Sequence, residues 1–259
     1  MAEKIAINDE SLFDFLISEI EKPFSGWDFS YIIDTGRMAE SPLKWSYTSK
    51  ILMTIRNVES LLDMGTGGGE YLSLLQPLPE NTYATEGYEP NIPIARKRLE
   101  LIGVKVIEVG SDNKLSFEND YFDLVINKHE EYSAEEVYRV LKPNCQFITQ
   151  QVGGLNDLEL NKLLGANEDF GMKYWNLEYA VEELKKLGME IIEQKEDFPI
   201  MRFYDVGAIV YYLKVIPWQI PDFSIEKYFN SLKNLHHMIQ NEGYIDVKEH
   251  RFFVVAKKR

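Results

Sequence analysis

Cysteine is nearly absent from this chain, and bases are scarce. Cys145 is its single cysteine, which excludes an internal disulfide and a cysteine-built zinc site. Nothing activating lies beside it in sequence, so it reads as a packed small hydrophobe. No apolar run approaches the roughly 18 residues of a membrane span, and Met1-Ala2-Glu3-Lys4 opens without the apolar core of a secretory signal. Together these set the expectation of a soluble cytoplasmic protein with no membrane partner. There are 28 bases against 42 acids, a formal net charge of −14. That balance opposes phosphate backbones and disfavours nucleic acid as a partner. Histidine is rare too: His236-His237 shares a helix with no third ligand in sight, so no metal is expected. Repeats and low-complexity tracts are missing. What remains is 259 residues, 45% of them apolar, enough for a large core.

The densest chemical signal is Leu61-Leu62-Asp63-Met64-Gly65-Thr66-Gly67-Gly68-Gly69-Glu70. A short apolar run reads as a buried parallel strand, and the glycines after it let backbone bend sharply and approach a ligand. A dinucleotide fingerprint would be G-x-G-x-x-G with a pyrophosphate on a helix N-terminus. Gly65, Gly67 and Gly69 instead give G-x-G-x-G, and Glu70 takes the place of the last dinucleotide glycine. Two carboxylates, Asp63 and Glu70, would repel a diphosphate and welcome a cationic nucleoside.

This pattern resembles the first motif of the class I S-adenosylmethionine-dependent methyltransferases, and the resemblance runs from about Asn57 to Gln151. It implies an enzyme with S-adenosyl-L-methionine as cofactor, and Asp63, Gly65, Thr66, Gly67 and Gly69 as its first contacts. Glu86 ends the next strand nineteen residues after Gly67, where an acid would accept from the ribose hydroxyls; Glu89 is the rival. Ser111-Asp112, after the third strand, matches the adenine-reading position, one place later than the family's Gly-Asp-Ala. Asn127 closes the fourth strand where relatives face the methyl group, and His129 beside it is the candidate general base, its unperturbed pKa being near neutrality.

Strand and helix patterns alternate from Ser60. Strands are expected at 82–85, 104–109, 122–127 and 146–152, then 189–194 and 250–256. Helices are expected from Asn8 or Asp9, from Ser41-Pro42 to Ile55, over 92–101, from the capping-box pattern Ser133-Ala134-Glu135-Glu136 to 143, and over 177–187, 206–215 and 225–241. The implied fold class is α/β: a seven-stranded, doubly wound, mostly parallel sheet of the Rossmann-like methyltransferase kind. An N-terminal helical extension (1–57) precedes the core (58–196). A helical insertion (197–246) precedes the last strand (247–259). All four segments are expected to form one methyltransferase domain. The two additions are expected to cover the substrate side of the crevice. Their aromatics Trp27, Phe29, Tyr31, Trp45, Trp175, Tyr204, Tyr211, Tyr212 and Trp218 would supply both core and acceptor pocket. The expected reaction is in-line methyl transfer to a small organic acceptor. A non-catalytic binder of the same nucleoside, an RNA methyltransferase and an NAD-dependent oxidoreductase stand as alternatives.

Overall fold

The computed structural model describes residues 8–24, 28–110, 114–169 and 171–259. The chain divides into two compact units, one of residues 43–154, 173–197 and 250–259, the other of residues 1–42, 155–172 and 198–249.

The first unit is built on a seven-stranded sheet. Its strands, in chain order, are β1 (Ser60–Met64), β2 (Asn81–Glu86), β3 (Lys105–Glu108), β4 (Phe122–Lys128), β5 (Leu141–Val152), β6 (Glu190–Asp197) and β7 (Arg251–Lys257), arranged β3-β2-β1-β4-β5-β7-β6. The pairs from β3 to β5 are parallel; β7 runs antiparallel between β5 and β6. This is the expected seven-stranded, mostly parallel fold with its last strand inserted before the sixth. Every residue of β1 is buried, as a central parallel strand covered on both faces requires. Adjacent residues divide between the two faces. Leu62, Val125, Phe147 and Val254 enter one apolar cluster, while Leu61, Leu124, Ile148 and Phe253 enter the other. Helices Tyr47–Ile55 and Ile92–Leu99 supply the second cluster; Ala134–Val140 and Leu177–Lys186 supply the first.

Two helix boundaries and one cap differ from the sequence expectation for a clear physical reason. The helix expected from Ser41-Pro42 starts at Tyr47, because Ser46 is the residue that caps it, accepting from Ser49 N–H at 3.1 Å. Strand β5 begins at Leu141, cutting the preceding helix short at Val140. Ser133 caps that helix by accepting from Glu136 N–H at 3.2 Å, but Glu136 does not reach back. Its carboxylate takes Arg139 and the Leu115 N–H instead, so only half of the capping box forms.

The second unit holds helices Asp9–Ile20, Ser30–Ile33, Leu158–Leu164, Val206–Val215 and Ile225–Glu242, with a three-stranded antiparallel sheet of Met38–Glu40, Ile200–Phe203 and Ile245–Lys248. The 197–246 insertion, expected to be helical, therefore also carries strand. Ile200–Phe203 alternates half-buried and buried over four residues, too short a run for its period to stand out in sequence. Asn8 caps the first helix through Ser11 N–H at 2.8 Å, as expected. Helix Val206–Val215 is buried along nearly its whole length, and Tyr211 and Tyr212 belong to this unit's core.

Candidate active site

The glycine turn leaves the C-terminal end of β1, and its three alternate glycines all take left-handed backbone, at φ of 69°, 62° and 79° for Gly65, Gly67 and Gly69. Only glycine adopts that conformation without strain. Space is a second reason. A Cβ on Gly65 would enter the Glu130 side chain, and one on Gly69 would press on Leu99 at 2.6 Å. Thr66 ties the turn to the neighbouring strand, its N–H donating to Thr85 O at 2.9 Å. The helix that follows spans only Glu70–Ser73, one turn, which gives no axial dipole able to hold a pyrophosphate.

Beside this turn lies a small cleft, partly open to solvent, walled by Gly65, Thr85, Glu86, Val109, Glu130 and Tyr132 among others. Acids dominate it. Glu86 ends β2, is buried, and accepts from Tyr88 N–H at 2.8 Å. Burial raises its pKa, against the pull of the N–H groups of Tyr88, Gly67 and Gly87. Asp63, buried in β1, is pushed up to about 7 by burial, with the Glu86 charge adding to the shift. Glu130 is open to the cleft yet surrounded by protein. Lost hydration raises its pKa to about 7, with Glu86 and Glu131 pushing the same way.

Two expected assignments look different at atomic detail. Glu70 forms an ion pair with Arg98 of helix Ile92–Leu99, which also bonds Gly68 O, and Glu70 is not among the residues that line the cleft. Glu130 takes its place, a residue the sequence reading passed over inside a mixed-charge loop. Its one sequence signal is position, three residues after Asn127 at the end of a central parallel strand. Asn127 is fully buried and does not line the cleft. Its amide braces three strands, donating to Met64 O at 3.3 Å and accepting from Thr149 Oγ1 at 3.0 Å and from Gln151. Ser111 and Asp112 lie outside the described residues, as does Trp27. His129 follows β4 with left-handed backbone, φ 62°, fixed by its N–H donating to Gln150 O at 2.8 Å. Of the aromatics, Trp45 stacks on Phe253 and donates to Gln150 Oε1 at 2.9 Å, while Trp175 packs edge-on to Tyr132 and Phe252. Cys145 is half-buried on the apolar cluster that Leu62 joins. No group of three metal-binding side chains occurs among the described residues.

Residues 62–149 match the family described as methyltransferase domain. That stretch, from β1 into β5, carries the match to a methyltransferase domain. That makes the chain an enzyme of the methyltransferase class, with S-adenosylmethionine as its cofactor. The solved structures similar to it share the fold at low identity. A protein of Bacillus halodurans C-125, titled as a methyltransferase, has a TM-score of 0.58 at 17% identity, covering 82% of this chain and 98% of its own. YcgJ of Bacillus subtilis has 0.55 at 15%, covering 82% and 98%. The 4+2 cyclase SpnF has 0.52 at 14%, covering 98% and 97%. No curated protein matches.

The methyltransferase site fits its cofactor on its own evidence. Thr66 Oγ1 is buried in the turn, with the Asp63 carboxylate the side chain that it meets. The carboxylates of Glu86, Asp63 and Glu130 match a ligand that brings a diol, an ammonium and a sulfonium. Glu86 would hold the ribose, the Gly65–Gly69 turn would lie along the amino-acid portion, and Asp63 and Glu130 would balance its positive charge.

Proposed function

We propose that this methyltransferase transfers a methyl group in line to a small organic acceptor held at the C-terminal ends of β1 and β4. The observation that supports it most is the cleft beside the left-handed glycine turn, whose wall includes both Glu86 and Glu130. When bound, S-adenosylmethionine supplies a methyl already activated by its positive sulfur. The protein then has to bind, align and dry the reacting groups. Good alignment is worth on the order of 7–11 kcal/mol in intramolecular comparisons.

The acceptor reading rests on charge. A net −14 chain disfavours a polyanionic substrate such as RNA. No helix among the described residues is long and apolar enough to cross a membrane. SpnF is a reminder that this fold hosts other chemistry. The test has two parts. Calorimetric titration with S-adenosylmethionine and with NADH should favour the former by at least a hundredfold. Incubation of the loaded enzyme with a small-molecule extract should then yield S-adenosylhomocysteine above a no-extract control, whereas added RNA should not. Tight donor binding without any product would move the reading to a non-catalytic binder. Preference for NADH would end it.

A further inference from the structure

The expected general base, His129, is held by a chain of hydrogen bonds whose direction can be worked out from one end. Trp45 Nε1 carries a proton and can only donate; it points at Gln150 Oε1, 2.9 Å away. That contact fixes which way the Gln150 amide faces, since reversing it would set two N–H donors against each other. Gln150 Nε2 must then be the atom facing His129, and it lies 3.0 Å from His129 Nε2. An amide nitrogen only donates. His129 Nε2 is therefore the acceptor, bare of hydrogen, and the ring proton resides on Nδ1. Charging the ring would place N–H against N–H at this contact. Burial opposes the charge as well, as do Arg251 and Lys128 nearby, and all three depress the pKa well below the ordinary histidine value.

A ring held this way is a poor proton acceptor. Its lone pair is engaged by Gln150, and the nitrogen left over already carries hydrogen. Nδ1 has no hydrogen-bond partner among the described residues, and part of the residue stays open to solvent although protein crowds around the ring. It stands directly after β4, next to Glu130 of the cleft wall, where open α/β sheets bind their ligands. We propose that His129 is a fixed Nδ1–H donor, set by Trp45 through Gln150, that recognises an anionic oxygen on the methyl acceptor, of carboxylate or phenolate type. Lys128 and Arg251, whose charges reach the ring, add positive potential of the sign such an oxygen needs. The donor side of the cleft is acidic, so the two ends of the site would sort a cationic donor from an anionic acceptor. Gln150 and Trp45 are positioning residues, since they act through His129. This assignment rests on the methyl-transfer reading for its substrate, but not for its proton.

The experiment is nitrogen-15 NMR of the histidine rings in the full-length protein without ligand. Wild type should show His129 protonated at Nδ1 only, with no titration between about pH 6 and 8. Gln150→Glu offers a carboxylate that accepts from both Trp45 and His129, so it should move the proton onto Nε2 and bring the ring's titration up to or above neutrality. Trp45→Phe, which keeps the stacking on Phe253, should give a mixture of tautomers. Hydrogen on Nε2 in wild type, or an unchanged ring in Gln150→Glu, overturns the proposal. Benzoate, the probe for the acceptor oxygen, should shift the Nδ1–H resonance. Its affinity should fall tenfold or more in His129→Gly, whose backbone accepts the left-handed conformation. His129→Asn, which restores a side-chain donor and tolerates the same φ, should recover much of that loss. Absence of any benzoate shift in wild type overturns the substrate half. A failure of S-adenosylhomocysteine to bind in a separate titration would instead count against the methyl-transfer reading, leaving the tautomer result to stand by itself.

Discussion

Tyr88 N–H donates to Glu86 Oε1 at 2.8 Å, across the bend that follows β2. With the N–H groups of Gly67 and Gly87 and the Asn91 side chain, this hydrogen bond holds the carboxylate at the strand tip, on the cleft wall. Glu89, the other acid in this bend, is exposed and is not part of the cleft wall.

Glu86→Ala should therefore weaken binding of S-adenosylmethionine by about 1–3 kcal/mol, the scale for hydrogen bonds to a charged acceptor. Glu89→Ala should leave it within a few tenths. Calorimetric titration of the two variants checks this directly. The reverse ranking would assign the ribose to the wrong acid.

Donor binding should depend on pH through the raised carboxyls. Asp63 and Glu130 both sit near 7, against about 4 in an unfolded chain. The sign follows from which state holds the protons. Folded protein keeps protons that the unfolded chain has released, so the stability these groups contribute is full below about pH 4 and is lost as pH climbs through about 7. A bound cation favours the ionised acids and expels those protons. Affinity for S-adenosylmethionine should thus rise between about pH 6 and 8, by up to tenfold per pH unit for each proton released. S-adenosylhomocysteine lacks the sulfonium charge and should show a shallower rise. Equal, flat affinities for both across that range would mean that the acids do not meet the cation.

The large sheet was readable in sequence because its central strands are short apolar runs closed by glycine or by an acid, and because strand and helix alternate. Leu61-Leu62 and Leu124-Val125 were legible as strand residues, whereas the face that each takes is seen only in the structure. The glycine turn and Glu86 were legible for the same reason, since spacing along one βαβ unit is set by strand and helix length. Glu130, by contrast, reaches Gly65 only because β1 and β4 are neighbours in the sheet, a pairing of residues far apart in sequence. The Trp45–Gln150–His129 chain was hidden likewise: it joins three segments, and Gln150 carries no pattern of its own. Ile200–Phe203 and Met38–Glu40 escaped notice because strands of three or four residues offer no period to read.

Gly69 and Gly103 separate two costs that are often merged. Both have left-handed backbone, at φ 79° and 84°, but an added Cβ meets Leu99 at the first and nothing within 4 Å at the second. Gly103→Ala should cost about 1–2 kcal/mol from backbone alone. Gly69→Ala should cost that and roughly 1–3 kcal/mol more for overpacking against Leu99. Urea denaturation of both variants measures the difference. Equal losses would mean that Leu99 moves aside freely.

Arg37 carries the most exacting electrostatic arrangement of the second unit. Its guanidinium holds Asp205 by two contacts, of 2.7 and 2.8 Å, and Glu19 by one of 3.0 Å; Tyr31 adds a hydroxyl to Glu19 at 3.1 Å. Glu19 is buried, so its charge depends on that partner. Arg37→Ala should destabilise the protein by about 3–5 kcal/mol, the range for stranding one member of a buried pair. Most of that loss belongs to the carboxylate left behind rather than to the missing attraction. The double variant Arg37→Ala with Glu19→Gln should accordingly be more stable than Arg37→Ala alone, although it removes one more native group. If urea denaturation finds the double variant no better, the cost lies in the Asp205 contacts and the packing of Arg37 on Tyr31, and Glu19 finds adequate solvation without its partner.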